Sequence, residues 1–136
     1  MTHRILLPNG WPRPRGYANG VAARGRQIHV AGQIGWDPSG QLAGPDIVSQ
    51  ARQAMRNIVD VLACDNAHPE HLVRLTWYVT SRDEYVANAK ALGVAYRDVF
   101  GDHYPAMSAV QVCALIQTGA VVEIEATAVV PDGDAD

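Results

Sequence analysis

From Leu72 to Thr80 the chain alternates without a break: Val73, Leu75, Trp77 and Val79 fall on one side of an extended backbone, Arg74, Thr76, Tyr78 and Thr80 on the other. On either side of this strand lies an apolar stripe with the helical repeat of about 3.6 residues. The first comprises Ile47, Ala51, Ala54, Met55, Ile58 and Leu62, opened by Asp46 as a cap and leaving Gln50, Arg52, Gln53, Arg56 and Asp60 outward. The second comprises Tyr85, Ala89, Leu92, Tyr96 and Val99, opened by the capping box Ser81-Arg82-Asp83-Glu84 and closed by Gly101. A helix with one apolar stripe must cover something, and a strand with one apolar face must be covered. The pattern therefore predicts helices laid on one face of a sheet.

More strands flank this unit. Tyr17 to Ala23 and Gln27 to Ile34 are β-prone runs, and Arg24-Gly25-Arg26 between them reads as a hairpin turn. Gly32 within the second run marks a bulge or a close approach, and so a candidate floor for a pocket. Ser108 to Leu115 and Ala120 to Val130 form the last two strands, connected through Gln117-Thr118-Gly119. Residues 1–15, rich in Pro and Gly from Pro8 onward, read as an N-terminal arm, and 132–136 as a loose acidic tail. The order ββαβαββ predicts an α+β fold. Its uncovered sheet face keeps apolar residues that call for oligomerisation.

At 136 residues the chain suits a single domain, 1–136, and with 48% apolar residues it is composed like a packed globule. No apolar run is long enough for a transmembrane helix, and Met1 to Pro14 lacks the apolar segment of a signal peptide, so a cytoplasmic protein without membrane partners is expected. Cys64 and Cys113 fall in no Cys-x-x-Cys pair and read as reduced core residues. His68 and His71 lie in a proline-broken polar connection without a third ligand at useful spacing, so no metal is expected. A net charge of −3 argues against a nucleic-acid partner. The charge is uneven all the same: Arg4, Arg13, Arg15, Arg24 and Arg26 all precede the first acidic residue, Asp37, which leaves a solvated cationic surface or a small anion-binding patch.

Three stretches then resemble one family. They are His103-Tyr104-Pro105-Ala106-Met107-Ser108, Val121-Val122-Glu123-Ile124-Glu125-Ala126, and Val30-Ala31-Gly32-Gln33-Ile34, supported by Gly16-Tyr17 and by Gln50-Ala51-Arg52-Gln53-Ala54. Together they resemble the RidA/YjgF family of reactive intermediate deaminases. The resemblance covers roughly residues 16–130. It implies a chorismate-mutase-like α+β fold with a mixed sheet covered on one face by two helices, a homotrimer with clefts between subunits, and cofactor-free hydrolysis of an enamine or imine to a carbonyl compound and ammonia.

Residue by residue, the resemblance gives Glu123 the role of holding the attacking water and Tyr17 a place in the cleft wall. Gly32 and Cys113 lie near positions that offer backbone groups to the ligand. Trp36 is a candidate pocket wall. On a strand Glu123 and Glu125 share a face, so two carboxylates lie close together, as proton-passing groups or as a solvated pair. Met107 is the departure. It stands where the family's Pro-Ala-Arg-Ser carries the arginine that grips the substrate carboxylate, and a thioether offers no charged fork. Loss of such a bond costs about 1.5–3 kcal/mol. Either Arg13 or Arg15 supplies the missing charge, or the pocket suits a less polar or differently charged ligand; the substrate is accordingly a 2-aminoacrylate-like intermediate or a larger aminomuconate-like one. The alternative is a non-catalytic ligand-binding or holdase-like trimer.

Overall fold

The computed structural model describes residues 3–133. Nine regular elements follow one another in it: β1 (Arg4–Leu6), β2 (Gly20–Ala22), β3 (Gly25–Ile34), α1 (Ile47–Ala63), β4 (Leu72–Val79), α2 (Arg82–Ala87), α3 (Ala89–Phe100), β5 (Ala106–Gln111) and β6 (Val122–Pro131). Strands β3, β6, β4 and β5 form the main sheet in that order, antiparallel except for the β4/β5 pair. The parallel pair needs a long crossover, and α2 and α3 supply it. β6 returns to the middle of the sheet and pairs with both β3 and β4. The architecture is α+β, as the order of periodicities predicts, with the mixed sheet that the resemblance implies.

The core lies between this sheet and the helices. Ala51, Ala54, Met55, Ile58 and Leu62 of α1 are fully buried against Leu75, Val122, Ile124 and Ala128 of the sheet. Asp46 caps α1, accepting the Ser49 amide at 2.9 Å. That bond and the Ser49 hydroxyl hold the Asp46 carboxyl below its ordinary pKa. Burial along β6 alternates residue by residue, Val122, Ile124 and Ala126 inward and Glu123, Glu125 and Thr127 toward the opposite face.

Several expectations are corrected. Arg24-Gly25-Arg26 makes no hairpin: β2 pairs with β1, and β3 pairs with β6. Gly25 is needed for a different reason, since it has φ +145° and a Cβ there would overlap the Val130 carbonyl across the ladder. The N-terminal arm contains a strand, β1, and His3 just before it is buried with Nε2 3.2 Å from the carbonyl of His71, the residue that precedes β4. The second helical stripe is broken at Asn88 into α2 and α3, with Ser81 capping the first piece through the Glu84 amide at 3.1 Å. In β4 a register shift between Leu72 and Arg74 buries Leu72 and leaves Val73 half-buried. The last strands are shorter than expected and are separated by β4. Cys64 and Cys113 are exposed, and His71 is buried, its ring accepting the His68 amide in a 3-10 turn. Gln50 points inward and is fully buried. Of the expected loose tail, residues 134–136 lie outside the described residues, while Asp132 and Gly133 are exposed.

Candidate functional site

The β4/β5 register decides where Met107 goes. Met107 pairs with Leu75, an inward residue, so it faces the helices, whereas Ser108 pairs with Thr76 and faces the other side. Between β5 and α3 this leaves a cavity of about 450 Å³. Met107, Trp77, Leu92 and Ala109 line its sheet and helix walls, and Tyr85, Tyr96 and Tyr104 add an aromatic belt. Tyr17 closes one side, carried there because the Ala18 amide donates to the Pro105 carbonyl at 3.0 Å. Arg15 lines the same cavity, as does Arg97 from α3.

The aromatic belt is rigidly built. Tyr96 stacks on Tyr104 with ring centres 5.1 Å apart and planes within 10°, and its hydroxyl donates to the His103 carbonyl at 2.5 Å. Trp77 and Tyr85 meet edge to face at 6.1 Å. Burial pushes the Tyr85 hydroxyl above its ordinary pKa, and burial followed by the neighbouring Tyr104 does the same for Tyr96. Both phenols are therefore neutral near neutral pH. The charge on the cavity wall comes from the two arginines, and no acidic side chain lines it among the described residues.

Glu123 lies elsewhere. It is half-buried on β6 opposite Tyr78 and Ile34, on the sheet face turned away from α1 and α3. The β3/β6 ladder slips between Val30 and Gln33, and Gly32 sits in this bulge beneath the Glu123 carboxylate. A Cβ at Gly32 would overlap that carboxylate, so the absence of a side chain is what gives Glu123 its seat. Glu125 shares the face and accepts the Tyr78 hydroxyl at 2.7 Å. That bond, then desolvation and the charges of Glu125 and Glu123, raise the Tyr78 hydroxyl's pKa and keep it a donor. Gly32 and Glu123 are thus brought together, and so are Tyr17, Arg15 and Met107, but the two groups occupy opposite faces of the sheet within one chain.

The remaining candidates line neither the Met107 cavity nor the bulge beneath Glu123. Trp36 is exposed on the β3–α1 loop, where its carbonyl accepts the Asn57 side-chain amide at 2.8 Å, and it lines a shallow recess with Gln33 and Asp60. Cys113 is exposed beyond the end of β5. Arg13 lines a second cavity on the far side of Tyr17, together with His3 and His103. Arg97, which sequence reasoning did not select, was legible only as the residue one turn after Gly93 on the helix that carries Tyr96.

Comparison with known proteins covers nearly the whole chain. The family model described as endoribonuclease L-PSP matches residues 12–130. A goat (Capra hircus) protein named 2-iminobutanoate/2-iminopropanoate deaminase is 36% identical over 130 residues, which cover 95% of this chain and 91% of the relative. The human protein of the same name is 32% identical over 105 residues, covering 76% and 73%. Among solved structures, YyfB of Yersinia pestis, described as a protein of unknown function of the conserved Rid family, superposes with a TM-score of 0.83 at 33% identity, over 96% of this chain and all (100%) of that one. RidA from an Antarctic Psychrobacter superposes with a TM-score of 0.68 at 26% identity, over 93% and 99%. With a match that runs from the arm through the last strand, and with the same fold in its relatives, the chain belongs to the RidA/YjgF (endoribonuclease L-PSP) family.

Proposed function

We propose that this chain is a hydrolase that deaminates an enamine or imine bulkier and less polar than 2-iminopropanoate. The observation that carries the reaction class is the seat of Glu123: a half-buried carboxylate over a glycine bulge, inside the region shared with relatives that are named imine deaminases. Water held there attacks the imine carbon, forming the C–O bond while Glu123 takes its proton. The nitrogen is protonated, the C–N bond of the tetrahedral adduct breaks, and ammonia leaves as the carbonyl forms. Positioning of the water and a nearby proton acceptor supply the catalysis, and the reading calls for no cofactor. The substrate preference rests on the cavity. Met107 and the aromatic belt make an apolar wall where the family resemblance sets an arginine.

The two halves must meet for this chemistry. The reading therefore requires the homotrimer that the resemblance implies, with a cleft that joins the Glu123 face to the Tyr17–Met107 cavity. Their separation within one chain favours a second reading, a ligand-binding trimer without deamination, because the cavity is formed without Glu123. The net charge of −3 gives little grip on RNA despite the nuclease in the family description.

Ammonia release from enzymatically generated 2-imino-3-phenylpropanoate separates the two readings. Wild type is expected to accelerate it well beyond the spontaneous rate and to prefer it to 2-iminopropanoate, and Glu123→Gln is expected to lose about a hundredfold or more in turnover. Binding without any ammonia release by wild type would overturn deamination in favour of the second reading.

A further inference from the structure

Met107 leaves the cavity without the expected cation on β5, yet the cavity is positively charged. Arg97 is exposed on α3, and its Nη1 lies 3.4 Å from where a Cβ of Gly93 would stand. The guanidinium is therefore folded back along the helix over Gly93, toward the helix N-terminus, as helical side chains tilt. That direction matters. An arginine in the last turn of a helix would ordinarily be explained by the free carbonyls at its C-terminus, but this one turns away from them and into the cavity wall that it shares with Gly93 and Tyr96. The acidic neighbour on the same helix, Asp98, is paired with Arg52 at 3.0 Å, and Arg97 has no ion-pair partner among the described residues. In a chain of net charge −3, a cavity with two arginines and no lining carboxylate among the described residues is built for an anion.

We propose that Arg97 is the specificity-determining anchor of this cavity, selecting ligands that carry a carboxylate at one end and an apolar, ring-sized body packed on Met107, Trp77 and Tyr85. Arg97 rather than Arg15 holds the primary role, because α3 fixes its position by packing Leu92, Ala95 and Tyr96 into the core, while Arg15 sits on a loop outside any regular element. The inference rests on the cavity being the ligand site, as the proposed function has it, but not on deamination.

Isothermal titration of the full-length protein with 3-phenylpropanoate and with 3-phenylpropanamide tests it. The acid is expected to bind wild type more tightly than the amide. Arg97→Ala is expected to weaken the acid by about tenfold to a hundredfold and the amide hardly at all, as loss of one charge-assisted contact does. Arg97→Lys should recover part of the loss, and Arg15→Ala should cost less than Arg97→Ala. Equal affinity of wild type and Arg97→Ala for the acid, equal affinity of wild type for acid and amide, or no binding of the acid would each overturn the anchor. Selective binding that depends on Arg97, in a protein that releases no ammonia from 2-imino-3-phenylpropanoate, would sustain the anchor and remove the deaminase.

Discussion

Gly32 and Glu123 show how a single missing methyl group can matter. The carboxylate occupies the space where a Cβ would be, and it is the far end of a flexible side chain, so it can move aside if that space is filled. Gly32→Ala should therefore leave stability nearly unchanged while displacing Glu123. Turnover of 2-imino-3-phenylpropanoate is expected to fall at least about tenfold with a melting temperature within a few degrees of wild type, because a small misplacement of a reacting group carries a large rate cost. A variant of undiminished activity would remove Gly32 from the site. Gly32 was legible in the sequence as an oddity within a strand. What lay beneath the bulge was not, since the contact joins β3 to β6 across about ninety intervening residues (32 to 123). The exposure of Cys113 and the distance of Trp36 from the cavity were equally hidden: residue type says what a side chain prefers, and neighbours decide where it goes.

Helix α1 shows the same limit one level up. Its apolar stripe and its Asp46 cap follow directly from periodicity and capping chemistry. Gln50 breaks the amphipathic expectation because its amide answers backbone groups from two loops, the one that leads into α1 and the distant one before β6. Its Nε2 donates to the carbonyls of Gly44 and Gly119 at 2.8 and 2.9 Å, and its Oε1 accepts the Val121 amide at 2.9 Å. A buried polar side chain is tolerated when its bonds are satisfied, and these three bonds also satisfy loop groups that no sheet reaches. Gln50→Leu would strand all three. A loss of about 2–4 kcal/mol is expected in urea unfolding, since each buried group left unpaired costs about 1–3 kcal/mol and the loops can relax in part. A loss below about 1 kcal/mol would show that water replaces the amide. The break between α2 and α3 at Asn88 was missed because the apolar period continues across it, while the Asn88 side chain bonds back to the Glu84 carbonyl at 2.7 Å.

At the scale of the molecule, one chain presents the two halves of the proposed site apart, a carboxylate over Gly32 on one sheet face and an apolar, cationic cavity behind Met107 on the other. If a cleft between copies joins them, two variants impaired in different groups should rescue each other. Mixing unfolded Glu123→Gln and Arg97→Ala chains and refolding them together is expected to give, at low substrate, more turnover than the average of the two refolded separately, because some clefts then take both intact groups from different copies. No recovery from the mixture, with trimers confirmed by light scattering, would place both groups in the same chain's contribution to a cleft. The sequence by itself determined the α+β class, the helical stripes, the strand faces and the family, because each follows from local periodicity or from short contiguous motifs. Only the tertiary structure decided that β2 pairs with β1 rather than β3, that Gln50 is a clamp, and that Met107 and Glu123 face opposite ways. Those outcomes depend on strand order and register, which are set by contacts between residues far apart in the chain and leave no periodic trace in any one segment.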